Sequence, residues 1–114
     1  MRFGDTIYYC KKKQDKVEEY EAPKTIVLRR NHFSLMTSKG LMDTLIYGKD
    51  IDKTYIAFVP IKEWGAEYFK EGDKFYIDYA TPKEHEENGK SANAFIQSVS
   101  YQNLFIKLVI RRKV

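Results

Sequence analysis

The sequence has little of what several large protein classes require. Of its 114 residues, one is cysteine, three are proline and six are glycine. The single cysteine, Cys10, excludes a disulfide framework within the chain, although such frameworks stabilise many secreted domains of this size. The scarcity of glycine and proline, together with 43% hydrophobic and 15% aromatic residues, is typical of a folded domain and not of a collagen-like or disordered chain.

Long apolar runs are also missing. No stretch approaches the roughly 18 consecutive apolar residues of a membrane-spanning helix, and the first residues do not have the apolar core of a signal peptide. We therefore expect a protein that stays in the cytoplasm where it is made and has no membrane partner. The length predicts a single domain over residues 1–114.

The charge balance gives no strong indication of a partner. Twenty Lys and Arg against 16 Asp and Glu give a formal net charge of +4, which is small for a dedicated nucleic-acid binder. The charge is unevenly distributed, because residues 101–114 contain four basic residues and no acid, whereas residues 84–87 contain three glutamates.

What the chain does have is short runs of aromatic and β-branched residues between charged or glycine-containing breaks. This pattern predicts an all-β domain of six or seven strands: a small antiparallel β-barrel or sandwich with long loops and one short helix. The predicted strands are residues 5–11, 25–30, 33–47 (one bulged strand, or two at 33–36 and 41–47), 54–59, 74–79, 94–101 and 104–111.

Alternation within these strands predicts which side chains share a face. In the first strand Ile7 and Tyr9 share one face and Tyr8 and Cys10 the other. In residues 74–79 we expect Phe75, Ile77 and Tyr79 to point inward. In the last strand the expected inner face is Leu104, Ile106, Leu108 and Ile110. A two-residue turn at Gln102 and Asn103 predicts that the last two strands pair as an antiparallel hairpin.

Two connecting segments are distinctive. Ile61, Trp64 and Tyr68 recur at helical spacing, which predicts a short helix that ends at Gly72. Residues 81–93 form a long polar loop, and a loop of this length in a small domain is often functional.

Enzyme chemistry finds little support in the residue types. The two histidines, His32 and His85, fall in a turn and in an acidic loop and belong to no catalytic motif. The glycines are too widely spaced for a phosphate-binding loop. Asp50 with Asp52 offers oxygen ligands for a divalent cation, as do the glutamates at 84–87, but solvated loop charge is the commoner role of such residues. We expect no enzymatic activity, no metal and no cofactor.

Nucleic-acid binding is a second possibility, because aromatic platforms beside a cationic groove bind single strands. The residues that fit this role by type are Tyr8, Tyr47, Tyr55 and Tyr76 with Arg29, Arg30, Arg111 and Arg112.

Several short motifs follow one another along the chain. Residues 1–8 read Met-Arg-Phe-Gly-Asp-Thr-Ile-Tyr, and Tyr20 follows. Ile-Tyr-Gly at 46–48 precedes the hydrophobic strand at 54–59. Residues 74–79 form an aromatic strand that ends in tyrosine, and Phe-Ile-Gln-Ser-Val at 95–99 follows the polar loop. In this order the features resemble the head-closure and minor capsid proteins, which form the head–tail connector of long-tailed bacteriophages.

The resemblance implies a β-barrel that self-associates into a ring, contacts the portal–adaptor complex on one side and the tail-completion protein on the other, and seals the channel. DNA would pass without sequence-specific binding. The candidate channel loop is Glu84, His85, Glu86 and Glu87. The candidate subunit or partner interface is Phe105, Lys107, Val109, Arg111 and Arg112. The implied location is the host cytoplasm during assembly and then the head–tail junction of the virion.

Residues 1–7 are also similar to the opening of the β-barrel endoribonuclease toxins. That family has an early Gly-x-Glu-Gln-x-Gly-x-Arg-Pro segment, which carries its catalytic arginine. The segment has no counterpart here, because the residue directly before Pro23 is Ala22 and not arginine. A small β-barrel that binds or cleaves RNA is therefore the alternative function.

Overall fold

The fold is all-β, in agreement with the sequence pattern. The computed structural model describes residues 6–14, 19–30, 32–37, 54–65 and 67–113. Within them lie seven strands and one short helix: β1 (Thr6–Cys10), β2 (Lys24–Val27), β3 (Ser34–Thr37), β4 (Thr54–Pro60), α1 (Ile61–Trp64), β5 (Lys74–Tyr76), β6 (Ala94–Gln102) and β7 (Phe105–Arg112). The predicted strand at 41–47 and the motif at residues 46–48 lie outside the described residues.

The seven strands form one antiparallel sheet in the order β2-β1-β5-β6-β7-β4-β3. It curves as half of a barrel. The two outer strands of this order, β2 and β3, are joined by only six residues, so the sheet must curl to bring their ends together. A backbone bond from Arg29 to Phe33 closes this short connection.

The inner face of the sheet carries the main core. Its buried side chains include Ile7 and Tyr9 of β1, which share a face as predicted, and Ile106, Leu108 and Ile110 of β7. The outer face has a second, smaller cluster in which Cys10 and Tyr76 pack with Ala92. This division follows from the two-residue period of a strand, which is why the alternation in β1 and β7 was readable from the sequence.

One end of the half-barrel is filled with aromatic rings. The connection between β2 and β3 contributes Phe33, and α1 with the segment after it contributes Trp64, Tyr68 and Phe69. The ring centroid of Phe33 lies 6.0 Å from that of Trp64, 5.9 Å from that of Phe69 and 5.8 Å from that of Phe75. Tilted and edge-on pairs at these distances are the favoured aromatic geometry. Because β4 ends at Pro60 opposite Phe105 of β7, this cluster lies at the same end as the β6–β7 turn.

Three local predictions were wrong. The helix ends at Gly65 and not near Gly72, because Gly65 adopts φ +86, a conformation that glycine reaches without the steric cost of a side chain. Strand β5 ends at Tyr76, and Tyr79 does not point inward but is 68% exposed. Leu104 lies in the two-residue turn with Asn103, one position later than predicted, and is 75% exposed.

Candidate interaction surfaces

The β5–β6 loop, residues 77–93, is held at its base by one amide side chain. Asn93 Oδ1 accepts a hydrogen bond from Ile77 N at 2.9 Å, and Asn93 Nδ2 donates to Ile77 O at 2.8 Å. A further bond at 3.1 Å runs from Asn88 Nδ2 to Tyr20 O. Side chains therefore fix the backbone of a loop that has no regular secondary structure.

Glu86 fixes the middle of the loop. Its Oε1 accepts bonds from Ser91 Oγ at 2.5 Å, Lys83 N at 2.9 Å and Tyr76 Oη at 3.2 Å. Hydrogen bonds to the charged form, that from Ser91 foremost, lower the pKa of Glu86. The other three residues of the candidate channel loop, Glu84, His85 and Glu87, are exposed. The loop thus has a fixed base and an apex that presents two acids and a histidine.

The loop covers part of the outer face of the sheet. Gly89, at φ +78, is so close that an added Cβ would lie 3.6 Å from the Cβ of Cys10 and 3.4 Å from Tyr20 Cγ. Cys10 is fully buried, and burial raises the pKa of its thiol to about 11. A thiol of this kind is a packing residue, since the reactive thiolate is disfavoured.

A polar network lies where the loop leaves β5. Asp78 Oδ2 accepts bonds from Tyr55 Oη at 2.6 Å and from Arg112 Nη1 at 3.2 Å. Burial, followed by the bond to Asp78, raises the pKa of Tyr55 to about 12. Asp78 and Tyr79 both adopt positive φ, 54 and 68. Such strained residues persist only where their surroundings hold them, and here Tyr55 and Arg112 do so.

The candidate interface residues of β7 do not form one exposed surface. Val109 is only 4% exposed, and Arg112 binds Asp78 of its own chain. Lys107 and Arg111 are half-buried, and Phe105, 47% exposed, lies at the other end of the strand from Arg112. Whether any of them contacts a partner stays a prediction.

The β6–β7 turn is the most apolar exposed surface of the described chain. Of five large hydrophobic side chains that are exposed, three lie here: Tyr101, Leu104 and Phe105. We call residues 101–105 the hairpin tip. The backbone of the tip is fixed to the domain, because Leu104 O accepts a bond from Ile61 N at 2.9 Å. Sequence alternation had assigned Leu104 to the core, and only the register of the hairpin shows it outside.

The tyrosines proposed for base stacking do not form an exposed platform in the described part of the chain. The rings of Tyr55 and Tyr76 are buried, and their hydroxyl groups bind Asp78 and Glu86. Tyr8 is half-buried and packs edge-on against Tyr76 at 6.5 Å. Tyr47 lies outside the described residues. Alternation alone could not show that Tyr76, on the outer face, lies under a loop.

Sequence reasoning also missed a buried carboxylate. Asp73, fully buried before β5, accepts bonds from Tyr9 Oη, from Lys12 N at 2.9 Å and from Lys70 N at 3.0 Å. Burial and the Asp73 charge raise the pKa of Tyr9. A buried charge needs such partners, and Asp73 thereby joins the end of β1 and the residues after it to the segment before β5. Asp73 has no sequence signature, because its partners lie up to 64 residues away.

The described residues contain neither a cluster of metal ligands nor a helix that could span a membrane. No three His, Cys, Asp or Glu side chains gather there as the ligands of a metal ion would. Nor does any helix among these residues have the length and apolar character to cross a membrane. His32, in its predicted turn, lies 3.3 Å from a Glu63 carboxylate oxygen.

No protein-family model matches the chain, and no curated protein and no solved structure matches it at a significant level.

Proposed function

We propose that the chain is a structural head–tail connector subunit, of the head-closure or a related head–tail joining type, in a tailed bacteriophage or prophage. It forms a ring that seals the portal channel and joins the tail. The observation that carries the proposal is the separation of two unlike surfaces. The β5–β6 loop precedes the first residue of β6, and the hairpin tip contains its last two residues and the turn that follows them.

The two surfaces suit different contacts. Strand β6 has nine residues, and a strand of that length spans about 26 Å. The loop apex presents Glu84, His85 and Glu87, whereas the tip presents Tyr101, Leu104 and Phe105. A ring subunit that lies between two different partners needs two such patches, because heterologous contacts do not use the same surface twice.

We assign the channel to the loop and the protein contacts to the tip. Glutamates at the loop apex repel phosphate, which allows DNA to pass without being held. The bonds of Glu86 and Asn93 keep the apex in place. Aromatic side chains are enriched at protein interfaces, and the tip exposes Tyr101 and Phe105. The tip is therefore the surface that a neighbouring subunit, the adaptor or the tail-completion protein would cover.

The test measures the mass of the purified protein by light scattering and images it by negative stain, alone and mixed with portal–adaptor particles. We expect rings or decorated particles. The double variant Leu104→Ser, Phe105→Ser should abolish them. Met36→Ser removes an exposed hydrophobic side chain from β3, away from the tip, and should leave assembly unchanged.

Two results would contradict the proposal. One is a monomer that ignores the particles at every concentration. The other is equal assembly by the tip variant and the wild type, which would remove the tip from the contacts. A monomer that instead cleaves or retards a long RNA would favour the RNA-directed alternative.

A further inference from the structure

The outer face of the sheet carries a row of alternating basic and aromatic residues that the sequence did not reveal. Phe95 of β6 is paired with Arg111 of β7 on one side and with Lys74 of β5 on the other. Directly paired residues point to the same face. Arg111, Phe95 and Lys74 therefore lie side by side across three strands, although 37 residues separate the first from the last in sequence.

Lys74 is held in a defined position. Its ammonium group lies 4.7 Å from the ring centroid of Tyr20, a cation–π distance. The loop residue Gly89 approaches the same lysine, because a Cβ at that position would lie 3.4 Å from Lys74 Cδ. Lys74 is half-buried between these neighbours. A lysine fixed in this way loses little further freedom when it binds a ligand.

A second lysine lies beside it. Lys113 follows β7, and its backbone nitrogen donates to Asn93 O at 2.8 Å, so the chain end is fixed to the base of the loop. Burial, followed by the nearby Lys74 ammonium, lowers the pKa of Lys113. Neither lysine has a carboxylate within 4 Å in the described part of the chain. Two neighbouring like charges repel each other, and a bound anion relieves that repulsion.

We propose that Lys74 and Lys113, with Arg111 in the same row, form a binding site for the phosphodiester backbone of a nucleic acid. The cations lie on β5, on β7 and just after β7, with β6 between them. This separation suits a ligand with several phosphates and not a single small anion. Contacts to phosphates carry no sequence information, so we expect binding that is independent of sequence. This site is distinct from the set of buried tyrosines, and its existence does not depend on the proposed function.

The test uses fluorescence anisotropy with labelled oligonucleotides of 20 nucleotides: single-stranded dT, single-stranded rU and a duplex of the same length. Binding is measured between 50 and 200 mM salt. We expect binding to at least one of them that weakens as salt rises. The double variant Lys74→Gln, Lys113→Gln should lose about tenfold in affinity at 50 mM salt and reduce the slope of log K against log salt by about 1.4 for a single strand.

The matched control is Lys62→Gln, Lys70→Gln, which removes the same charge from two exposed lysines outside the row. It should retain most of the affinity and the full salt slope. Equal losses in the two variants would overturn the proposal, because they would assign binding to net charge. Absence of binding by the wild type at 50 mM salt would overturn it as well. Circular dichroism of both variants confirms that the sheet is intact.

Discussion

The two ends of the β6–β7 hairpin differ in where their polar and apolar groups lie. We call the end next to the β5–β6 loop the loop end, and the end with the hairpin tip the tip end. At the loop end, polar side chains turn inward and bind one another, as Asp78 does with Tyr55 and Arg112. At the tip end, aromatic rings fill the interior while Leu104 and Phe105 face solvent. The loop end therefore depends on hydrogen bonds for its shape, and the tip end depends on packing. The variants below separate these two contributions.

Phe33→Ala should have the largest effect, because it removes a fully buried ring that contacts three other rings at the tip end. We expect the free energy of unfolding to fall by about 3–5 kcal/mol. Urea unfolding followed by fluorescence of the single tryptophan, Trp64, measures it. Met36→Ala, at an exposed side chain, is the control. A fall below 1 kcal/mol would show that packing does not dominate this end.

Tyr55→Phe tests the loop end and should cost about 1 kcal/mol at neutral pH, because one hydrogen bond to Asp78 is lost. The pKa of Tyr55 is raised to about 12, so the protonated phenol stabilises the fold below pH 10. That stability is lost as the pH rises from 10 through 12. Stability of the variant should thus depend less on pH in this range.

The measurement for Tyr55→Phe is urea unfolding at pH 7, 9.5 and 11. The exposed Tyr101 supplies the control, since Tyr101→Phe removes a phenol from the tip and should leave the pH dependence unchanged. Identical alkaline profiles for Tyr55→Phe and the wild type would refute the role given to the phenol.

Glu86→Gln should have a smaller and local effect. The pKa of Glu86 is lowered from its ordinary value of 4.5 by the bonds that the carboxylate accepts. These bonds stabilise the loop above pH 4.5 and are lost as the pH falls through the lowered pKa. In the wild type, protection of the Lys83 amide against hydrogen exchange should drop on acidification. The variant should lose this pH dependence, whereas Glu84→Gln should keep it.

Leu104→Ser should have the smallest effect on folding, within about 0.5 kcal/mol, because its side chain is already in solvent. Leu108→Ala, four residues further along the chain and fully buried within β7, should cost about 2–5 kcal/mol. Thermal unfolding of the pair measures the contrast. A large loss in Leu104→Ser would mean that the tip contributes to the fold of the single chain.

Sequence reasoning reached the features that depend on near neighbours. The two-residue period placed Ile7 and Tyr9 on the same face of β1, and the hairpin of β6 and β7 needed only its short turn. It was wrong where one residue changes its backbone: positive φ at Gly65 ended the helix, and positive φ at Tyr79 turned the side chain outward. Hydrophobic periodicity and secondary-structure propensity contain no information on the backbone conformation of a single residue.

The candidate sites were less predictable because their partners are distant. Lys74, Phe95 and Arg111 become neighbours only through the register of three strands. In the same way, the burial of Tyr76 depends on a loop that folds back over the outer face. The glutamates at 84–87 were visible as a cluster, but the inward turn of Glu86 alone among them was not, since it depends on Tyr76 and Ser91.

The fully buried Cys10 gives this chain an internal probe of how often the β5–β6 loop opens. It is the one thiol of the sequence, and Gly89 of the β5–β6 loop lies directly against it. A thiol reagent can therefore modify the native protein only when the loop lifts or the domain unfolds. At reagent concentrations where opening limits the reaction, the rate of modification gives the opening rate of the loop, without an introduced label. In the ring that we propose, the same rate would report whether a partner or DNA holds the loop shut.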